Sequence, residues 1–124
     1  MFKRLTAIII VALTVFAADA RSISDIRPQG SSWYIMYDEN GRRYKTLTAS
    51  SVGRIMGWSS TFFVSCKGSW IYLYDAEGRR YKTMAASSVG DVIAVSGNTF
   101  TSRKGSWIYT YDSTGRRINT RSAR

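Results

Sequence analysis

Residues 69–84, SWIYLYDAEGRRYKTM, decide the fold because the chain contains this stretch in three related copies. Its tryptophan recurs at intervals of 37 residues, as Trp33, Trp70 and Trp107. Residues 32–53 and 69–90 are identical at 15 of 22 positions without a gap. A fixed period of about 20 to 50 residues is typical of repeat architectures, so the chain is predicted to repeat one structural unit.

Each copy begins with a strand pattern and continues into a tight turn. Residues 70–74 alternate aromatic and aliphatic side chains, which is typical of a β-strand covered on both faces. The following Asp75 and Gly78 favour a type I turn closed by a glycine with positive φ. In the return strand Arg80 and Lys82 are expected to share one face, because side chains alternate along a strand.

The rest of the period supplies two more strands. The apolar residues 91–95 predict an interior strand, and residues 99–103 predict its neighbour after a Ser-Gly-Asn turn. In the first copy, residues 22–29 align with residues 59–66, but no apolar interior strand precedes them. The sequence therefore predicts antiparallel meanders of three, four and four strands.

This layout resembles a blade of a β-propeller, which is a four-stranded antiparallel meander repeated around an axis. The resemblance implies an all-β fold with repeats at about residues 22–53, 54–90 and 91–124, the first being incomplete. Known propellers have about four to eight blades, so we expect a homo-oligomer to complete the ring. The alternative is that three repeats close on themselves, as in a β-trefoil. The resemblance is architectural and assigns no functional residue.

The first 20 residues are predicted to be a secretory signal peptide. A basic start precedes an apolar stretch over residues 5–16, and Ala18 and Ala20 form a small-residue cleavage site. A membrane anchor is the alternative, although this stretch is shorter than the ~20 residues that a spanning helix needs. Residues 21–124 are then expected to form a single secreted or periplasmic domain with no transmembrane segment.

Charge and residue content argue against catalysis. The chain has a net charge of +10, which becomes +9 when Lys3, Arg4 and Asp19 leave with the signal peptide. It contains no histidine, which removes the commonest general base and metal ligand. The sequence predicts neither an enzyme nor a cofactor or metal site. The single cysteine, Cys66, cannot form an internal disulfide, and we expect a free thiol at an exposed edge, with an intermolecular disulfide as the alternative.

Basic residues recur on the return strands and are the main candidates for a ligand-binding site. They are Arg43, Lys45, Arg80, Lys82 and Arg117. The alternative is that they protect an exposed edge strand from aggregation. The three repeated tryptophans are expected to fill the space between repeats. Trp58 is a further candidate, because Val95 occupies its place in the next copy.

The resulting functional hypothesis is an exported, non-catalytic module that binds anionic or other envelope or extracellular glycans. Acidic polysaccharide and lipopolysaccharide are expected ligands, because the excess positive charge favours polyanions. Nucleic acid is not expected outside the cytoplasm. The alternative is a structural or interaction protein of the cell envelope that assembles with itself through its repeats.

Overall fold

The computed structural model of the protein describes residues 21–123, which form eleven β-strands and two short helical turns. The predicted signal peptide lies outside these residues. The strands are β1 (Asp25–Gln29), β2 (Trp33–Tyr37), β3 (Arg43–Thr48), β4 (Arg54–Trp58), β5 (Phe62–Lys67), β6 (Trp70–Asp75), β7 (Arg80–Ala85), β8 (Asp91–Ser96), β9 (Thr99–Lys104), β10 (Trp107–Asp112) and β11 (Arg117–Ser122). The helical turns are α1 (Ala49–Val52) after β3 and α2 (Ala86–Val89) after β7.

The strands form three separate antiparallel sheets, each a meander. The first sheet contains β1 to β3, the second β4 to β7 and the third β8 to β11. This confirms the all-β prediction, including its division into three, four and four strands. The β-trefoil alternative gains no support, because each of the three sheets is open. Within residues 21–123, no helix is both long enough and apolar enough to cross a membrane.

Two hydrophobic clusters join the sheets in series. Buried residues of the cluster between the first and second sheets are Ile23, Ile26, Met36, Leu47, Val52, Phe63 and Tyr74. Those of the cluster between the second and third sheets are Phe62, Val64, Ile71, Leu73, Val89, Val92, Phe100 and Tyr111. The stacked pair Phe63–Tyr74 recurs as Phe100–Tyr111, with ring centroids 4.7 and 5.0 Å apart. The second sheet is therefore buried on both faces, as the sequence of β6 predicts.

Two buried hydroxyls attach the helical turns to the sheets. Ser65 Oγ donates to the carbonyl of Val52 over 2.7 Å, and Ser102 Oγ donates to that of Val89 over 2.6 Å. A carbonyl buried at the end of a helical turn would otherwise lack a partner. These bonds fix the path of the chain from one sheet to the next.

The hairpin between β6 and β7 has the predicted turn. The carboxylate of Asp75 accepts hydrogen bonds from the backbone N–H groups of Glu77 and Arg79, each over 2.9 Å. The N–H of Gly78 donates to the carbonyl of Asp75 over 3.0 Å, and Gly78 has a φ of +82°. Only glycine adopts this conformation readily, so the residue that closes the turn is fixed by the backbone.

In the first sheet the same turn buries its aspartate. Asp38 Oδ1 accepts hydrogen bonds from the backbone N–H groups of Arg42 and Asn40, each over 3.0 Å. The bond from Arg42 contributes most to lowering the pKa of Asp38 below its ordinary value. A carboxylate with a lowered pKa stabilises the fold above the unfolded-state pKa, and this contribution is lost as pH falls through the folded-state pKa.

We expect Asp38→Asn to lower the free energy of unfolding at pH 7, because the amide keeps an acceptor oxygen but loses the charge. The difference from the parent should shrink below about pH 4, the ordinary aspartate range, as the parent carboxylate becomes protonated. Urea unfolding between neutral and strongly acidic pH measures this difference. A difference that stays constant with pH would contradict the role given to the charge.

The second and third sheets each press their turn glycine against the preceding sheet. A Cβ atom at Gly78 would lie 3.1 Å from both Leu47 Cδ2 and Lys45 Cε. At Gly41, in the first sheet, it would meet nothing within 4 Å, although φ is similar at +75°. Turn conformation and packing between sheets can therefore be separated by substituting these two residues.

We expect both Gly41→Val and Gly78→Val to destabilise by more than ~1 kcal/mol, because a β-branched residue tolerates a positive φ poorly. Gly78→Val should cost more, since it also displaces Leu47 and Lys45. The melting temperatures of the two variants measure the effect. An unchanged melting temperature for Gly78→Val would show that the turn is misassigned.

The first copy departs from the repeat by one residue between β1 and β2. Gln29 pairs with Trp33 across a three-residue loop, whereas Lys67 pairs with Trp70 across a two-residue loop. The gapless alignment of β1 with β5 is therefore wrong by one position. A shift of one residue turns every side chain of a strand to the opposite face.

This shift decides which residues of β1 face the second sheet. Ile26 is buried in the cluster between the first two sheets. Asp25 and Arg27 alternate with it and lie on the face that points away from the second sheet, where they form an ion pair of 2.6 Å. That face contains a recess of about 330 Å³, lined by Ser24, Asp25, Arg27, Tyr37 and Gly41.

Candidate binding surface

The predicted basic residues are exposed, but they do not share one face. In the second sheet Leu73 pairs with Lys82 and Tyr74 pairs with Arg80, so that Tyr81 is the extra residue of a β-bulge. Leu73 and Tyr74 are neighbours in a strand and point to opposite faces. Arg80 and Lys82 therefore also point to opposite faces, and the prediction that they share one is wrong.

The same bulge recurs in the other two sheets. It separates Arg43 from Lys45 in the first sheet, so the shared face predicted for this pair is wrong as well. In the third sheet Arg117 pairs with Tyr111 and Asn119 with Thr110. A prediction from simple alternation misses this change. The extra residue shifts every later side chain of the strand by one position relative to that alternation.

Two of the three arginines of this set lie against aromatic rings. Arg80 Cζ is 4.4 Å from the centroid of the Tyr72 ring, and Arg117 Cζ is 4.6 Å from that of Tyr109. A guanidinium at this distance is attracted to the negative face of the ring. Arg43 occupies the equivalent position in the first sheet. These cations remain exposed, so they can attract an anionic ligand.

The lysines lie at the contacts between sheets. In each contact the outer strand of one sheet, β3 or β7, packs on the Asp-x-x-Gly turn of the next sheet, and we call this contact a joint. A Cβ atom at Gly78 would be 3.1 Å from Lys45 Cε, and one at Gly115 would be 3.1 Å from Lys82 Cε. The lysine stems thus cover the turn of the next sheet while their ammonium groups stay in solvent. Beside Lys45 is a recess of about 500 Å³, lined also by Arg21, Glu77 and Arg79.

The repeated tryptophans are on the surface. Trp33, Trp70 and Trp107 are 46, 50 and 50% exposed. The prediction that they fill the space between repeats is wrong, because each is the first residue of its strand and lies beyond the core. Tyr74 and Tyr111, four residues later, fill that space instead. An exposed tryptophan at the same place in every sheet marks a candidate binding surface.

Two of these tryptophans have a lysine directly across the hairpin. Lys67 pairs with Trp70, and Lys104 pairs with Trp107. Side chains opposite each other in an antiparallel pair share a face, with Cβ atoms about 5 Å apart. This surface lies at the ends of the strands rather than along an outermost strand. We call it the Trp–Lys edge, and it consists of Trp33, Trp70, Trp107, Lys67 and Lys104. The repeated sequence K-G-S-W at residues 67–70 and 104–107 is the signal that could have identified it.

Trp58 does not belong to the Trp–Lys edge. It is the last residue of β4, pairs with Phe63 and is 36% exposed. The end of β4 lies beside the start of β5, whereas Lys67 is the last residue of β5. Trp58 is therefore at the opposite end of the strands of the second sheet, away from the other tryptophans.

Cys66 is half-buried and contacts the cluster between the second and third sheets, so the expected position at an exposed edge is wrong. No group of three or more cysteine, aspartate or glutamate side chains within residues 21–123 is placed to hold a metal ion. Comparison with models of known protein families gave no match, and comparison with curated proteins gave none either.

Proposed function

We propose that the protein is an exported, non-catalytic module that binds anionic glycans through the Trp–Lys edge. The observation that carries this proposal is the half-exposed tryptophan at the start of the second or third strand of every sheet, as Trp33, Trp70 and Trp107. A large apolar ring is exposed at a fixed place in three repeats, although each could have been buried or replaced. Function explains this exposure better than packing does.

The two side-chain types of this surface suit the two parts of an acidic sugar. The flat indole ring packs against the apolar C–H face of a pyranose ring and excludes water from it. The lysine across the hairpin supplies a flexible positive charge for a carboxylate, sulfate or phosphate group. Lys67 beside Trp70 and Lys104 beside Trp107 therefore repeat one bipartite subsite. In the first sheet Gln29 takes the place of the lysine, which leaves a neutral subsite.

Repetition compensates for weak individual contacts. A polysaccharide that occupies one subsite holds its next units near the neighbouring subsite, which raises the overall affinity without new contacts. The predicted contacts Arg43, Lys45, Arg80, Lys82 and Arg117 serve long-range attraction in this proposal. They add to the net charge, which is +9 without the predicted signal peptide, and this charge draws a polyanion toward the surface and makes binding sensitive to salt.

We further infer that the three sheets are arranged as successive blades of a propeller-like stack. The inner strands β4 and β8 approach closely, and a Cβ atom at Gly57 would lie 2.9 Å from Val95 Cγ2. Glycine at this position permits the approach. Because the sheets repeat with one connectivity, such a stack presents the tryptophans along one common edge.

Binding of dextran sulfate, with uncharged dextran as reference, tests the proposal. We expect Trp70→Ala/Trp107→Ala to weaken binding of dextran sulfate about tenfold, because it removes two stacking rings; a nucleobase stacked on one aromatic ring gains about 1–3 kcal/mol, and a sugar face is expected to gain less per ring. Lys67→Ala/Lys104→Ala should weaken it too, and should reduce its dependence on salt. Fluorescence titration at two salt concentrations measures both effects.

Two variants serve as controls. Trp58→Ala removes a tryptophan from the opposite edge and should leave the affinity unchanged. Arg80→Glu/Lys82→Glu should remain folded and should weaken binding only at low salt. Undiminished binding by a folded Trp70→Ala/Trp107→Ala protein would overturn the proposed surface. A loss of binding in Arg80→Glu/Lys82→Glu at both salt concentrations would show that the binding site lies on the basic residues of the outer strands.

A further inference from the structure

We propose that the outer face of the third sheet binds the first sheet of a second copy of this chain, so that copies associate head to tail. This inference concerns the two end sheets and is independent of the proposed glycan site. It follows from the way in which the chain joins its own sheets.

Each joint within the chain uses the same hydrogen bond. The hydroxyl of Tyr44, on the last strand of the first sheet, donates to the carbonyl of Ala76 in the next turn over 2.6 Å. The hydroxyl of Tyr81, 37 residues later, donates in the same way to the carbonyl of Ser113. Burial raises the pKa of Tyr44 to about 12, so its hydroxyl remains a donor at neutral pH.

The third sheet carries the next outer strand of this series, and within residues 21–123 no Asp-x-x-Gly turn packs on it. Ile118 occupies the position of Tyr44 and Tyr81, and it is 50% exposed. Arg121 occupies the position of Leu47 and Met84, which contact the turn glycine of the next sheet. In residues 21–123, no fourth sheet covers these side chains.

The first sheet offers the matching surface. Its Asp-x-x-Gly turn is the one whose glycine, Gly41, meets no atom within 4 Å of a Cβ position. In the other two sheets the equivalent glycines contact the outer strand of the preceding sheet. The recess lined by Asp25, Arg27, Tyr37 and Gly41 lies beside this turn. It is where an outer strand would dock if the joint were repeated once more.

Both surfaces carry charged side chains at the position of the contact. The third sheet presents Arg121 where the chain's own joints use Leu47 and Met84, and β11 contains no acidic residue. The recess contains the carboxylate of Asp25, which is paired with Arg27, and Glu39 is exposed on the turn. An arginine entering this recess would meet the Asp25–Arg27 ion pair rather than an apolar pocket, so charge adds little to the contact, and the case for it rests on the repeated joint.

The central part of this contact would be polar. Thr99, Thr101 and Thr110 stand where the second sheet has Phe62, Val64 and Leu73. A contact between threonines and charged residues buries less apolar surface than the joints within the chain, so we expect a reversible association rather than a permanent one. A head-to-tail contact closes into a ring or extends into a filament, depending on the rotation between copies.

Sedimentation velocity of the purified protein, expressed from the full chain, tests the proposal over about a hundredfold range of concentration. We expect the average mass to rise with concentration. Ile118→Tyr introduces the hydroxyl that the other two joints contain. It should shift this rise in mass to a concentration about two- to tenfold lower, which is the change expected from one additional hydrogen bond. Ile118→Glu places a charge in the contact and should shift it at least tenfold higher.

Matched substitutions on the middle sheet provide the controls. Thr83 is exposed on β7, so Thr83→Tyr and Thr83→Glu add the same groups away from the end sheets and should sediment as the parent does. A parent that stays monomeric over the whole range, together with a monomeric Ile118→Tyr, would overturn the proposal. An assembly that Ile118→Glu leaves intact would overturn it as well. Dextran sulfate binding by Ile118→Glu, tested separately, should equal that of the parent.

Discussion

The structure depends on one joint, in which the outer strand of a sheet packs on the Asp-x-x-Gly turn of the next. The tyrosine hydroxyl of Tyr44 or Tyr81 enters the turn, and an aliphatic or thioether side chain covers its glycine. The turn is rigid because its aspartate accepts two backbone hydrogen bonds and its glycine has a positive φ. The two hydrophobic clusters lie beside these joints, so turn geometry and core packing stabilise each other.

The joint also explains where the charged and aromatic side chains lie. The bulge on β7 directs Tyr81 and Lys82 toward the third sheet, where Tyr81 donates to the carbonyl of Ser113. Arg80 points to the other face and contacts the ring of Tyr72. The core ends before the first residue of each third strand, and Trp70 therefore stands in solvent beside Lys67. Binding is thus proposed at an edge that the joint leaves uncovered.

Much of the fold could be predicted from the sequence because the repeat, the turn residues and the strand patterns are local signals. Gly78 and Asp75 specify their turn through their own backbone preferences. The repeated K-G-S-W sequence marks the Trp–Lys edge, but the faces on which the basic side chains lie could not be predicted, because they depend on strand register. One bulged residue, Tyr81, reverses the relation of Arg80 to Lys82, and one added loop residue places Ile26 in the core. The exposure of Trp70 depends on where a neighbouring sheet ends, which no local pattern reports.

The four tryptophans of the chain can report directly where a glycan binds. Each indole N–H gives a separate signal in a nitrogen–proton correlation spectrum, and dextran sulfate can be added to the folded protein. We expect the signals of Trp70 and Trp107 to shift most, that of Trp33 to shift less because no lysine pairs with it, and that of Trp58 to stay in place. A shift of Trp58 alone, or no shift while the polymer binds, would contradict the assignment of binding to the Trp–Lys edge.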